Sequence, residues 1–436
     1  MNQVLVYSPQ SSVRLTYALK LFSVRLELNF RHTDNLDEFK NATSELRINY
    51  SKLPIDGVLQ IIPVSLLFEN DIRQQPIACS EWHSLPCFFV TDVENDAMPF
   101  DVFAAAFYLV TRYEEYVCTK TDNHGRFPCS ESLAFRQSFL QRPIVDLWAF
   151  ELLKMLKPSH QIQRHFELKP TIDVDNFYKY RRKGIFGSLF LFAKGLLKKD
   201  FDGVKARFDV LLRKQDDPFF NFEAIMTLHK QFCLMPQFFF HVGGNGRFDK
   251  KMLFPTISKR YDKVIRQIAT TTDIGIHPSY KAAFSEKRFL KEKQRLQTVS
   301  KQTIVANRFH FLRFRLPESY RMLLRLGVES DYSMLYADEM GFRAGTSLPF
   351  PFFDLEKNEE TALMIYPVPI MDATLLKPHQ SIDNAAIVVA KMLDDVKRTH
   401  GTFITLFHNE HLANNVIRNF YEAILKQAKQ STDEDV

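Results

Sequence analysis

The chain has 436 residues, of which 45% are hydrophobic and 25% are charged, a composition that excludes an intrinsically disordered protein. Glycine is scarce, with 14 residues, and phenylalanine is abundant, with 41, which excludes collagen-like and low-complexity sequences and predicts large buried cores. The net charge of +6 is mild. The short basic clusters Lys179–Lys183 and Lys194–Lys199 are predicted to be solvated faces, with nucleic acid or a membrane surface as the less favoured alternative. The length predicts two or three domains, or one small domain beside a barrel-sized one.

The cysteines and the N-terminal residues indicate the cellular compartment of the protein. The five cysteines form no CxxC pair and are odd in number, which argues against a disulfide framework and against a thiolate zinc site. No basic segment precedes the first apolar residues, so the chain is predicted to be cytoplasmic. The most apolar window, Ile185–Leu197, is shorter than the roughly 20 residues that span a bilayer. A buried or interfacial helix is predicted there, without stable membrane insertion.

Residues 1–160 are predicted to form a smaller α/β domain, bounded at Pro158-Ser159. Apolar residues at spacings of three and four predict a helix over Phe100–Tyr116, and a second helix is predicted at Asp146–Leu156. The cluster Arg112–Tyr116 either contacts the barrel and shapes one wall of its cleft or ends the first helix with solvated charges, and the second interpretation is favoured. Short strands are predicted at residues 4–7, 57–63 and 87–90.

From Phe166 onward, strand-like segments alternate with long helical stretches, which predicts a parallel sheet or barrel and an α/β fold class. Seven strands are predicted, at residues 166–175, 236–242, 273–277, 303–312, 329–335, 363–371 and 402–408. Helices are predicted at residues 222–232, 261–270, 286–300, 317–326 and 384–399. Residues 416–436 are predicted to form a C-terminal helix and an acidic tail.

Several side chains that can bind a metal lie at or just after the C-terminal ends of the predicted strands. The loops at this edge build the active sites of β/α barrels, so a shared position on it is the main functional signal in the sequence. These side chains are Asp173, Asp175, His277, His310 and His408.

Asp173 and Asp175 lie two residues apart at the end of an apolar strand, so their side chains point to the same face. Two carboxylates in this arrangement can share a divalent ion, or one can bind the ion while the other acts as a base. Alternatively the pair caps a turn, since the neighbouring Asn176 also favours turns.

Two histidines end predicted strands. His277 is a candidate zinc ligand in its neutral form, although a single histidine is more often structural. His408 is a candidate general acid or base, and Glu410 is expected to favour its protonated form. The alternative for His408 is a polar cluster that begins a helix, together with Asn409 and His411.

The chain resembles the polysaccharide deacetylases, which are the NodB-homology proteins of carbohydrate esterase family 4. The resemblance covers about residues 165–415 and rests on the order of the Asp pair, Gly275-Ile276-His277, an Arg-rich strand and Leu406-Phe407-His408. It is closer still to a bacterial subgroup in which such a barrel follows an uncharacterised N-terminal domain. The stretches that carry this resemblance are Arg112–Tyr116, His277–Tyr280, Ser330–Ser333, Gly341–Thr346 and Met371–Thr374.

This resemblance implies a distorted (β/α)7 barrel that holds a divalent metal, usually zinc, and hydrolyses N- or O-acetyl groups on sugars. It implies that Asp173 is the catalytic base, that Asp175 and His277 bind the metal, and that His408 is the general acid. An acetylated sugar or glycan is the implied partner.

One ligand position of the family is altered. The second ligand histidine should lie four residues after His277, where this chain has Lys281, and a protonated ammonium group cannot bind a metal. His310, which alternates with Arg308 on the fourth predicted strand, is the best replacement. The alternative is a structural histidine inside an arginine-rich strand.

Four further residues are predicted to contact the substrate. Arg308, Arg313 and Arg343 can bind an acidic sugar substituent or hold the catalytic carboxylates, because guanidinium groups pair with carboxylates. His241 begins a Gly-rich turn that lacks both phosphate-binding glycine motifs, and it is predicted to reach the site.

Three functions are consistent with these residues. The first is a metal-dependent hydrolase that removes acetyl groups from N-acetylated sugars of a bacterial glycan or glycan precursor. The second is a pseudoenzyme that binds or assembles glycans, its metal site eroded at Lys281. The third is metal-dependent hydrolysis of an amide that is not a sugar.

Overall fold

The structure is a computed structural model. It describes residues 3–43, 46–91, 98–157, 159–181, 192, 196–197, 199–244, 246–249, 259–375 and 381–430. Most of the apolar window Ile185–Leu197, and the acidic tail after residue 430, lie outside the described residues. No described helix is both long enough and apolar enough to cross a bilayer.

The first 160 residues build a four-stranded parallel sheet in the order β2-β1-β3-β4, and a separate antiparallel hairpin of β5 and β6. The strands are β1 (Gln3–Tyr7), β2 (Asn29–Thr33), β3 (Leu46–Asn49), β4 (Leu59–Gln60), β5 (Cys79–Trp82) and β6 (Leu85–Phe88). The helices are α1 (Val13–Leu26), α2 (Leu36–Asn41), α3 (Val102–Val110), α4 (Tyr113–Val117), α5 (Leu133–Arg136) and α6 (Ile144–Leu156).

The helix predicted over Phe100–Tyr116 is two helices, because Arg112 adopts a left-handed backbone conformation (φ 57°) between α3 and α4. The Arg112 side chain is 1% exposed, and it donates hydrogen bonds to the Arg343 carbonyl and to the carboxylates of Glu114 and Glu115. The favoured prediction of solvated charges at Arg112–Tyr116 is therefore wrong, since this cluster is buried against the second half of the chain.

The second half builds a nine-stranded sheet in the order β12-β13-β11-β10-β9-β8-β7-β15-β14, in which only β12 is antiparallel to its neighbour. The strands are β7 (Glu167–Val174), β8 (Gln237–Phe240), β9 (Ile274–Ile276), β10 (Ala306–Asn307), β11 (Ser330–Met334), β12 (Phe350–Asp354), β13 (Glu359–Pro367), β14 (Ile370–Met371) and β15 (Thr402–His408). The described helices are α7 (Phe201–Leu211), α8 (Phe222–Gln231), α9 (Lys259–Ala269), α10 (Glu286–Ser300), α11 (Glu318–Arg325), α12 (Asp372–Leu375), α13 (Ile382–Arg398) and α14 (Asn415–Gln430).

The large sheet curls around a small core of its own. Phe239 of β8, Tyr332 of β11 and Leu406 of β15 belong to one buried cluster, although these strands lie far apart in the order of the sheet. A flat sheet could not bring them together, so the strands enclose an interior, as in a β/α barrel. The predicted α/β class and barrel-like architecture are confirmed.

The strands β2, β3 and β5 of the first region were not predicted, and the predicted strands differ from the structure at four further places. The strand predicted at 303–312 has only two residues, and a 3-10 turn at His310–Leu312 follows it. The strand predicted at 363–371 is divided into β13 and β14. The strand predicted at 57–63 is reduced to β4, and the antiparallel strand β12 was not predicted.

A buried ion pair joins the two halves of the chain. Arg25 on α1 donates to the Asp146 carboxylate on α6 at 2.9 Å and to the Thr346 hydroxyl at 2.7 Å. Asp146 also accepts from the backbone and the hydroxyl of Ser347, at 2.7 and 2.8 Å. Both charged side chains are 1% exposed, so each buried charge is stabilised by the opposite charge of its partner.

We expect Asp146→Ala to lower the free energy of unfolding by about 3–5 kcal/mol, because it leaves the Arg25 guanidinium buried and unpaired. Urea denaturation of the purified protein measures this loss. Glu286→Ala is the matched control, because it removes the carboxylate of an exposed pair with Arg325 and is expected to cost about 1 kcal/mol or less. Equal losses in the two variants would contradict a structural role for the buried pair.

Candidate metal centre

A cavity of about 360 Å³ opens at the C-terminal ends of the strands of the large sheet. Five of the predicted site residues line it, which are Asp173, Asp175, His277, His310 and His408. Its apolar lining includes Phe248, Phe311, Leu312, Met371 and Leu406.

Asp175 faces two imidazole rings at the base of this cavity. Its Oδ1 atom lies 3.2 Å from Nε2 of His277, and its Oδ2 atom lies 3.4 Å from Nε2 of His310. Asp175 Oδ1 and His277 Nε2 are buried and have no hydrogen-bond partner among the described residues. Unpartnered buried polar atoms are costly, so their convergence here indicates a group that binds between them.

The second nitrogen of each imidazole is already occupied. Nδ1 of His277 lies 2.7 Å from the Arg308 carbonyl oxygen, and Nδ1 of His310 lies 3.3 Å from a carboxylate oxygen of Asp249. A carbonyl and a carboxylate accept hydrogen bonds, so Nδ1 of each ring carries a proton, and Nε2 is the nitrogen that offers a lone pair to a metal. Histidines that bind a metal are oriented by partners of this kind.

Two imidazole nitrogens and one carboxylate oxygen fit a divalent metal such as zinc, which binds three such protein ligands and keeps a further position open in catalytic sites. Two other groups of histidine and carboxylate lie close by in the described residues. One consists of His241, Asp249 and His310, and the other of Asp372, His408 and His411.

Charge at the centre keeps the carboxylate ionised. Burial raises the pKa of Asp175, but His310 and His277 hold it well below the usual range of an aspartate. Burial lowers the pKa of His310, whereas Asp175 and Asp249 together raise it to about 9. A metal cation would replace the proton on His310 as the partner of Asp175.

The backbone explains how His310 reaches Asp175. The strand β10 ends at Asn307, and Phe311 adopts a left-handed conformation (φ 60°) in the 3-10 turn that follows. His310 therefore lies in the loop after β10, not within a longer strand as the sequence predicts. Lys281 is exposed and does not line the cavity.

Arg308 holds the second aspartate. Its Nη1 atom donates to Oδ1 of Asp173 at 2.8 Å, and its Nε atom donates to the Tyr332 carbonyl at 2.9 Å. The guanidinium group is fully buried and stacks over the Phe239 ring, with its central carbon 4.4 Å from the ring centre. The other carboxylate oxygen, Oδ2, lies 3.7 Å from Nε2 of His277 and stays beside the candidate ligands.

Gly275 makes room for the Phe239 ring on which the Arg308 guanidinium packs. It pairs with Phe239 on the neighbouring strand, and a Cβ atom at position 275 would lie 2.3 Å from the Phe239 ring. No side chain larger than hydrogen fits at this contact, so the glycine two residues before His277 leaves the space for the ring on which Arg308 rests.

His408 is held by Asp372, which the sequence does not identify as a site residue. Nδ1 of His408 lies 2.7 Å from Oδ1 of Asp372, and the backbone N–H of His408 donates to Oδ2 at 2.6 Å. His411 shares the same carboxylate, with Nδ1 3.1 Å from Oδ2. Burial lowers the pKa of His408, but Asp372, with Asp175 and Asp173 behind it, raises this pKa to about 10.

The sequence suggested Glu410 as the carboxylate that favours the protonated form of His408, whereas the carboxylate bonded to the His408 ring is that of Asp372. Glu410 accepts a hydrogen bond from the Asn176 side chain. Asp372 lies at the start of α12, 36 residues before His408 in the sequence. The stretch Met371–Thr374 carries part of the family resemblance, and this is the only signal in the sequence that could have pointed to it.

The other residues predicted to contact substrate lie outside the cavity lining. Arg343 pairs with both carboxylate oxygens of Glu115, at 2.8 and 2.6 Å. Arg313 donates to the carbonyls of His124 and Tyr280, at 3.1 and 3.0 Å. Like Arg308, both arginines stabilise the walls around the site.

His241 is buried behind the cavity. Its Nδ1 atom lies 3.0 Å from the His277 carbonyl oxygen, and its Nε2 atom lies 3.9 Å from Oδ1 of Asp249. Burial and the neighbouring His310 lower the pKa of His241 to about 4, against the attraction of Asp175. His241 therefore supports the His277 loop in its neutral form.

The first half of the chain supplies one wall of the cavity, through two residues that the sequence does not single out. His124 and Arg126 line the cavity. Nη1 of Arg126 donates to the Phe311 carbonyl at 2.7 Å, and His124 lies 3.1 Å from the Tyr280 hydroxyl. These contacts join a loop of the first region to the turns that carry His277 and His310.

Residues 4–161 match DUF7033, a family of unknown function. No curated protein matches the chain. The chain is also similar to solved structures, but only distantly. A protein of Mycobacterium smegmatis described as a polysaccharide deacetylase is 12% identical, with 62% of this chain and 86% of that chain covered and a TM-score of 0.40.

The allantoinase Puue is 11% identical, with 61% of this chain and 85% of that chain covered and a TM-score of 0.40. A protein of Pseudomonas aeruginosa PAO1 described as a polysaccharide deacetylase is 11% identical, with 61% and 86% covered and a TM-score of 0.37. Similarity this distant transfers neither an activity nor a residue role to this chain.

We expect Asp372→Asn to lower the pKa of His408 by about two units or more, because it removes the negative charge that opposes burial. In the wild-type chain the pKa is raised, so His408 keeps its proton through neutral pH and loses it only as the pH approaches 10. NMR titration of the metal-free protein measures both values. Asp273→Asn is the control, because Asp273 is exposed and precedes the opposite end of β9, and it should leave the titration of His408 unchanged. A larger shift in Asp273→Asn than in Asp372→Asn would refute the assignment.

Proposed function

We propose that this chain is a metal-dependent hydrolase that removes acetyl groups from N-acetylated sugars of a bacterial glycan or glycan precursor. The observation that carries the proposal is the convergence of three potential ligand atoms, from Asp175, His277 and His310, at the base of a cavity. A buried carboxylate, Asp173, and a protonated histidine, His408, line the same cavity, as an acid–base pair would require.

Asp175, His277 and His310 would hold the metal. When bound, a divalent metal such as zinc polarises the acetyl carbonyl and lowers the pKa of a water molecule in the site. Because Nδ1 of each imidazole is held by its own partner, the two rings are already oriented with Nε2 toward Asp175. The centre therefore needs little reorganisation to accept the ion.

Asp173 is the proposed base. Arg308 occupies its Oδ1 atom, so Oδ2 remains free to take the proton of the attacking water. The Arg308 guanidinium also fixes the direction of the Asp173 carboxylate, since a charge-assisted hydrogen bond is both strong and directional.

His408 is the proposed acid. Asp372 holds its Nδ1 atom, which leaves the proton on Nε2 for the departing amine. The carbon–nitrogen bond of the amide breaks as this proton is transferred, and the products are acetate and a free amino sugar. The negative charge of Asp372 allows the ring to be charged again before the next cycle.

The alternative of a pseudoenzyme depended on Lys281 in the place of a ligand. Lys281 is exposed, and His310 meets Asp175 from a different loop. A complete set of three ligands without Lys281 favours the enzyme over a glycan-binding module with an eroded centre.

We expect zinc-loaded wild-type protein to release acetate from oligomers of an N-acetylated amino sugar, and Asp173→Asn to lower kcat by about 10²–10⁴-fold. The amide cannot accept the proton of the water, but it keeps the size of the side chain. Acetate measured enzymatically over time is the readout. Asp273→Asn is the matched control, because Asp273 is exposed and precedes the opposite end of β9.

Unchanged activity in Asp173→Asn would contradict the assignment of the base. Absence of acetate release from every N-acetylated sugar, in protein that binds the metal, would contradict the proposed substrate. Release of acetate or ammonia from amides that are not sugars would then indicate the third hypothesis.

A further inference from the structure

Positive charge is concentrated in one segment between β7 and α8. Residues 176–215 contain eleven Lys and Arg against three Asp, a net charge of +8, whereas the whole chain carries +6. The other residues together are therefore slightly negative. A cationic segment on an otherwise almost neutral protein attracts an anionic partner.

The described part of the same segment exposes large apolar side chains. Leu197 is 86% exposed and Phe201 is 65% exposed, and the other four are between 38% and 54% exposed. Single exposed apolar residues are ordinary, but six of them within 17 residues of the chain indicate an interaction site. This apolar patch consists of Leu196, Leu197, Phe201, Phe208, Leu211 and Leu212.

The helix α7 turns its apolar stripe toward solvent. At about 100° per residue, Phe201, Phe208 and Leu212 lie within about 40° of one another around the helix axis. Arg207 and Val210, which lie on the far side of the axis from this stripe, are buried against the protein. A surface helix normally buries its apolar stripe, so the reverse orientation suits a partner outside the chain.

Four exposed cations border the patch, together with the exposed carboxylates of Asp200 and Asp202 at the start of α7. Lys199 precedes α7, Lys205 lies on it, and Arg213 and Lys214 follow it. Apolar side chains bordered by lysine and arginine are typical of helices that lie in the headgroup region of a bilayer, where the cations meet lipid phosphates and the rings enter the apolar boundary.

The segment is attached at the cavity end of the barrel. It begins directly after Asp175, and Asn176 donates a hydrogen bond to Glu410 in the cavity lining. The buried carboxylate of Asp217 accepts three backbone N–H groups at the start of the segment, at distances of 2.7, 2.9 and 3.0 Å. These hydrogen bonds connect the start of the segment to Asp217, two residues after its end.

We propose that the apolar patch and its flanking cations bind the surface of a bilayer that contains anionic lipids. The chain then lies on the membrane without crossing it, and its cavity faces the headgroup layer. The inference rests on charge, exposure and helix orientation, and it holds whether or not the cavity hydrolyses an acetylated sugar.

The test is co-sedimentation of the full-length protein with two kinds of vesicle. One kind is pure phosphatidylcholine, and the other contains about one-third phosphatidylglycerol. We expect binding to the anionic vesicles only, reversed by high salt, because the attraction is screened within a Debye length. Lys199→Gln/Lys205→Gln should weaken the partition coefficient about fivefold for each lost charge.

A second variant, Phe201→Ser/Phe208→Ser/Leu212→Ser, should weaken the partition coefficient tenfold or more, since it removes the apolar contact. Ile387→Ser/Val416→Ser is the matched control, because both side chains are 56% exposed on other helices and should not affect binding. No sedimentation with anionic vesicles, or equal binding by the patch variant, would overturn the proposal. A dimer in analytical ultracentrifugation that the patch variant abolishes would also overturn it, by showing that a second copy covers the patch.

Discussion

The candidate site depends on one constraint, which is that the buried Asp175 carboxylate lies against the Nε2 atoms of two imidazole rings. The Nδ1 atom of each ring has a hydrogen-bond partner, which is the Arg308 carbonyl for His277 and the Asp249 carboxylate for His310. Without a cation between them, the carboxylate and the rings are compatible only if a proton takes that place. This explains why the pKa of His310 is raised so far above its usual value. A cavity built in this way is a binding site for positive charge.

The surrounding residues orient the candidate metal ligands and the candidate acid and base by hydrogen bonds. Arg308 supplies its carbonyl to His277 and its guanidinium to Asp173, so one residue orients both a candidate ligand and the candidate base. Asp372 orients the candidate acid, His408. The first region of the chain also takes part, because Arg126 holds the turn that contains Phe311 and lies next to His310.

The strand ends could be predicted from the sequence because they follow from local patterns. Alternating apolar runs that end in polar residues place Asp173, Asp175, His277 and His408 at one edge of a parallel sheet. The exact path to His310 could not be predicted, since it depends on a strand that ends after two residues and on a left-handed residue in the following turn. The partners Asp249 and Asp372 lie 61 and 36 residues from the histidines they orient, so no local pattern reveals them. Arginines that the sequence suggests for substrate, such as Arg343, are buried in ion pairs that only the tertiary fold creates.

The metal content of purified variants tests the central claim most directly, because two overlapping groups of ligands share His310. The account predicts about one zinc per wild-type chain by mass spectrometry after dialysis, with the metal lost in His277→Ala and retained in His241→Ala. Far-UV circular dichroism verifies that both variants are folded. Retention in His277→Ala with loss in His241→Ala would place the ion at Asp249 instead, and no metal in the wild-type chain after incubation with excess zinc would contradict the account altogether.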